Sequence, residues 1–152
     1  MSRAATDRPV KLSILSTPQH LCVVRAAAEA LCRSLGFDEQ SATHVVLSVD
    51  EALTNVIRHA YDGAEDQPIE VELAGLDASQ GEGLRICIRD HGRAVDPGAI
   101  RSRDLDDVRP GGLGVHIMNE CMDCVEYRRA EGGGTVLTMT KRLRPAEEEV
   151  PE

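Results

Sequence analysis

Aromatic side chains are nearly absent: the chain has one phenylalanine, Phe37, two tyrosines, Tyr61 and Tyr127, and no tryptophan in 152 residues. Positive charge is also short. Lys and Arg total 17 against 26 Asp and Glu, a formal net charge of −9. A nucleic-acid binder needs a basic face, and single-strand binders add rings on which bases stack. Lacking both, the chain is not expected to touch nucleic acid. The acidic balance equally argues against an anionic membrane as partner. No apolar run approaches the roughly 18–20 residues that cross a bilayer. Residues 1–10 carry Arg3, Asp7 and Arg8 and no apolar core of a secretory leader. The five cysteines are odd in number and scattered, which suits reduced thiols in a cytoplasmic protein better than a disulfide framework.

What is present fits one domain. A typical domain runs roughly 100–200 residues, and 41% hydrophobic residues can fill its core. Residues 1–9 and 144–152 read as flexible tails around a domain at 10–143, the second tail being rich in Glu and Pro. Val10, Leu12 and Ile14 alternate with Lys11 and Ser13, the period of a strand. Thr17 and Pro18 then offer an N-cap and a first helical position. Leu21, Val24, Ala28, Leu31, Cys32 and Leu35 recur at helical spacing up to Gly36. Asp38 can cap a second helix, whose apolar stripe is Ala42, Val45, Val49, Leu53, Val56 and Ala60. After Asp62-Gly63 the period changes. Ile69, Val71 and Leu73 mark one strand; Leu84, Ile86 and Ile88 mark another. Residues 91–112 show no period, and a loop of that length is usually functional or mobile. Gly111 to Gly114 open a third helix, through about Cys121. Strands at 124–129 and 135–143 follow, joined by a turn at 131–134. Alternating strands with one apolar face predict an α+β, two-layer sandwich: a mixed, mostly antiparallel five-stranded sheet with three helices on one face.

Several constellations could carry chemistry. The second helix has a polar stripe of His44, Ser48, Glu51, Asn55 and His59. Glu51 and Asn55 stand one turn apart. A carboxylate can take a proton from a hydroxyl, and an amide oxygen suits Mg²⁺ beside phosphates. Such pairs are also common on solvated helix faces. Asp90-His91-Gly92 ends a strand, where binding residues tend to sit. An Asp there can accept from an exocyclic amine, and Gly lets backbone approach a planar ring; an ordinary Asx turn looks the same. Gly111-Gly112-Leu113-Gly114 before a helix can present N–H groups to phosphate, but matches neither a Walker A loop nor a dinucleotide fingerprint. Cys121 and Cys124 form a CxxC that follows a helix rather than opening one. With no second cysteine pair they read as buried thiols, not a metal or redox centre.

The order of these boxes is more specific than any one of them. Val46–Tyr61 (VLSVDEALTNVIRHAY), Asp90–Pro97 (DHGRAVDP), Gly111–Tyr127 (GGLGVHIMNECMDCVEY) and the closing GGTVLTMTKRL occur in sequence. Together they resemble the ATP-binding domain of the gyrase/histidine-kinase-like superfamily, the Bergerat fold. Within it the match is nearest to the stand-alone anti-sigma-factor serine/threonine kinases of bacteria. The resemblance covers residues 10–143. It implies ATP and Mg²⁺ as cofactors. Asn55 would hold the metal, Glu51 would be the catalytic base, and Asp90 would take the adenine amine with Gly92 beside it. Gly112 and Gly114 would face the phosphates under a lid at 97–111, and Thr135 would support the adenine pocket. It also implies partner switching: a homodimer that binds a sigma factor and phosphorylates an anti-sigma-factor antagonist. A kinase of this fold that binds no sigma factor, and a non-catalytic ATP-dependent binding module, are the alternatives.

Overall fold

The computed structural model describes residues 8–76, 81–92 and 117–143. Five strands form one sheet: β1 (Val10–Leu15), β2 (Pro68–Gly75), β3 (Gly83–Asp90), β4 (Cys124–Arg129) and β5 (Thr135–Arg142). Between β1 and β2 run the helices α1 (Pro18–Leu35) and α2 (Glu39–Asn55), and residues 117–121 are also helical. The spatial order is β1-β2-β3-β5-β4. Every pairing is antiparallel, so the sheet is more uniform than the mixed one expected. The expected lid at 97–111, Gly112, Gly114 and most of both tails lie outside the described residues.

Register explains the two layers. One row across the sheet is Leu12, Val71, Ile88, Leu137 and Tyr127; the next is Val10, Leu73, Ile86, Met139 and Val125. All of these side chains but the exposed Val10 meet Val24, Ala28 and Cys32 of α1 and Val45, Val49 and Leu53 of α2 in a common core. The opposite parity carries Lys11 beside Glu72 and Glu70 beside Arg89. Opposite charges on neighbouring strands suit a solvated face. The helices therefore cover one face only.

The helix ends follow local chemistry. Asp38 caps α2 with its carboxylate, accepting from Ser41 N–H at 2.7 Å. Thr17 stands at the N-cap of α1 but makes no side-chain cap bond. Instead His20 reaches back and accepts the Leu15 N–H on Nδ1 at 3.0 Å. One element departs from expectation. The α-helical run ends at Asn55, and Val56–Ala60 continues as a π turn. The N–H of Tyr61 closes it on the Val56 carbonyl at 3.1 Å. π turns inside helices frequently mark functional sites. No helix among the described residues is long and apolar enough to cross a membrane. The cysteines are all free, but Cys124 is exposed and Cys121 half-buried, so the CxxC pair is not the buried one expected. β4 is an edge strand, and its parity turns Cys124 outward.

Candidate functional site

Strand parity places the first site residue. Leu84, Ile86 and Ile88 point into the core, and Asp90 is the next member of that series. Its side chain is only 3% exposed. Thr135 has the same parity as Leu137 and Met139 at the adjoining end of β5, and it too is buried. The two meet: Asp90 Oδ1 accepts from the Gly92 N–H at 3.0 Å and the Thr135 N–H at 3.3 Å. Burial raises the Asp90 pKa, and these two backbone bonds oppose the rise. Both bonds fall on one oxygen, which leaves Oδ2 for an incoming donor. The Thr135 hydroxyl is buried with no partner among the described residues. Buried polar groups are nearly always satisfied, so the Thr135 hydroxyl makes this end of the sheet a candidate place for a polar ligand.

The glycines around Asp90 are set by contact. A Cβ on Gly134, whose φ is +86, would strike the Asp90 carbonyl. One on Gly92 would strike the Ala60 carbonyl and lie 2.8 Å from the Tyr61 ring. The open side of Gly92 thus faces the π turn. That packing demand is a reason for glycine which the sequence reading missed, having assigned the position to ring access. Tyr61 was missed as well. It is buried, and its hydroxyl accepts from the His91 N–H at 2.7 Å. The only signal for it was its rarity. His91 Nε2 also lies 3.0 Å from Glu70 Oε2.

The second group is on α2. Asn55 carries Oδ1 and Nδ2 buried with no hydrogen-bond partner among the described residues. Leaving a buried polar atom unmatched costs about 1–3 kcal/mol, so two on one amide call for an occupant. A metal bound by Oδ1 would answer the oxygen, because Mg²⁺ takes hard oxygen ligands and needs few from protein, and Nδ2 would be left to donate to another ligand group. Among the described residues no cluster of His, Cys, Asp and Glu competes for a metal. Glu51, one turn earlier, is half-buried and has no hydrogen bond or ion pair among the described residues. Its neighbour Asp50 is committed elsewhere, 2.6 Å from Arg25 of α1. Of the adjacent acids, Glu51 is therefore the uncommitted one. Ser48, on the same stripe, is fully buried with an unmatched hydroxyl. His44 and His59 are half-buried and Arg58 is exposed. The structure thus brings Asp90, Gly92 and Thr135 together, and sets Glu51 and Asn55 on the helix whose π-turn extension packs on Gly92.

Known proteins resemble this chain in sequence and fold. A family model described as the histidine kinase-like ATPase domain matches residues 14–141. The serine-protein kinase RsbW of Halalkalibacterium halodurans is 29% identical over 150 aligned positions, covering 93% of this chain and 88% of that protein. The serine-protein kinase RsbW of Listeria monocytogenes is 25% identical over 147, covering 91% of each. Among solved structures, the crystal structure of the RsbU and RsbW domains of a Mycobacterium tuberculosis protein superposes with a TM-score of 0.65 at 21% identity. It covers 92% of this chain and 34% of that one.

Proposed function

The chain belongs to the histidine kinase-like ATPase domain family, and from that premise we propose that it is an ATP-dependent serine/threonine protein kinase acting as an anti-sigma factor. The observation that carries this reading is Asn55, a buried amide with both polar atoms unmatched one helical turn from an uncommitted Glu51. The names of the relatives, serine-protein kinases, support the same reaction class.

In this reading Asp90 Oδ2 accepts from the adenine amine and the Thr135 hydroxyl supports the same pocket. Asn55 Oδ1 would hold Mg²⁺, which would supply charge neutralisation to the phosphates. Glu51 takes the proton from an incoming serine or threonine hydroxyl. Phosphoryl transfer needs positioning and charge neutralisation more than covalent help, and these residues provide both. Gly112 and Gly114 would add backbone N–H groups to the phosphates. The partners are an alternative sigma factor and a small antagonist that receives the phosphate, the kinase is a cytoplasmic homodimer, and the reading needs no contact with nucleic acid or membrane.

Labelled ATP with Mg²⁺ and the cognate antagonist tests the reaction. Transfer to a Ser or Thr is expected, and its absence at every antagonist concentration rejects the kinase. Glu51→Ala should keep nucleotide binding while transfer falls roughly 10²–10⁴-fold, the usual contribution of a positioned base. Normal transfer by that variant would show that another group removes the proton.

A further inference from the structure

Tyr61 is bonded to three parts of the fold at once. Its hydroxyl donates to the Pro68 carbonyl at 2.5 Å, where β2 begins, and accepts from the His91 N–H at 2.7 Å, in the turn after Asp90. Its ring flanks the same turn at Gly92. Its own N–H closes the π turn that extends the Asn55 helix. A buried tyrosine needs only one partner for its hydroxyl. This one uses the group as both donor and acceptor, and the acceptor side falls on the residue next to Asp90.

We infer that Tyr61 is a positioning residue for nucleotide recognition, holding the Asp90–Gly92 turn in register with the helix that carries Asn55. The inference rests on the assignment of Asp90 to the adenine amine. Without the hydroxyl, the His91 N–H loses its acceptor and the turn keeps only its packing at Gly92 as a tie to the Asn55 helix. Asp90 would then drift against a nucleotide anchored at the metal end. The loss should fall on the amine contact rather than on binding in general.

Ser16 is the internal control. It ties down the neighbouring stretch, donating to the Ala64 carbonyl at 2.6 Å and accepting from the Gln67 N–H at 3.0 Å. It bonds to no residue of the Asp90 turn.

The test compares titration-calorimetry affinities for ATP and for purine riboside triphosphate, which lacks the exocyclic amine. Wild type should prefer ATP. Tyr61→Phe should lose about tenfold in ATP affinity, the upper worth of one neutral hydrogen bond, with little change for the analogue. Ser16→Ala should lower the melting temperature and leave both affinities alone. An unchanged ATP preference in Tyr61→Phe overturns the inference, as does an equal loss for both nucleotides. A wild type without any preference removes the Asp90 assignment, and the inference falls with it. One measurement needs no variant: exchange of the His91 amide hydrogen should be slow and slow further with ATP. Fast exchange in the ATP-bound protein overturns the inference even where Tyr61→Phe does not fold.

Discussion

A carboxylate in a core position is the main anomaly at the scale of single residues. Asp90 takes the inward place that Ile88 and Ile86 prepare, and desolvation raises its pKa. The folded protein holds this proton to higher pH than the unfolded chain does. The ionised form therefore costs stability above the folded pKa, and the cost vanishes as pH falls below the unfolded value. Asp90→Asn should remove that cost, since an amide oxygen still accepts from Gly92 and Thr135. Its melting temperature at neutral pH should equal or exceed that of wild type. ATP affinity should fall roughly 10- to 100-fold, the worth of a hydrogen bond to a charged group, because the new NH₂ faces another donor. Calorimetry and thermal melting on the same variant check both halves. In wild type, ATP affinity should decline on acidification while pH is still above the ordinary carboxylate range.

At the scale of elements, the α2 cap and the β4–β5 turn carry different weights. Asp38 caps α2 with one exposed bond, so Asp38→Ala should lower the melting temperature and leave ATP binding intact. Gly134 has a left-handed φ and lies against the Asp90 carbonyl. Gly134→Ala should cost both stability and ATP affinity, read by melting and by titration. Periodicity made most elements legible. Leu21 to Leu35 marked α1, Ala42 to Leu53 marked α2, and alternation marked the first three strands. Apolar spacing cannot distinguish an α from a π continuation, so Val56 and Ala60 looked like more of the same helix. The π turn is set by the Tyr61 N–H and by contact with Gly92, which are tertiary facts.

For the whole molecule, a net charge of −9 opposes any nucleotide polyanion. In the proposed reading affinity then comes from local groups, with a metal held by Asn55 foremost. With Mg²⁺, ATP at 100 times its Kd should add about 2.7 kcal/mol to stability, a shift of a few degrees in melting temperature. Excess EDTA should abolish most of that shift. A shift that survives EDTA would place phosphate binding on the protein alone. The candidate site was legible as an order of boxes: Glu51 and Asn55 by helical spacing, Asp90 by its place after a strand. Its linkage was not. Nothing in one dimension says that Thr135 donates to Asp90, or that the hydroxyl of Tyr61 receives the N–H of His91. Those contacts depend on which strands become neighbours.

The strand order also bears on how the protein is made. β1, β2 and β3 are neighbours both along the chain and in the sheet, whereas β3 must wait for β5, the last strand. Thr135 reaches Asp90 across 45 positions, and closing so long a loop is entropically late and kinetically slow. A growing chain can therefore form the β2–β3 hairpin early, but the Asp90–Thr135 pair, the adenine pocket of the proposed reading, is unfinished until β5 slides in. ATP cannot guide the early steps of folding. It can only seal a product that is already nearly complete.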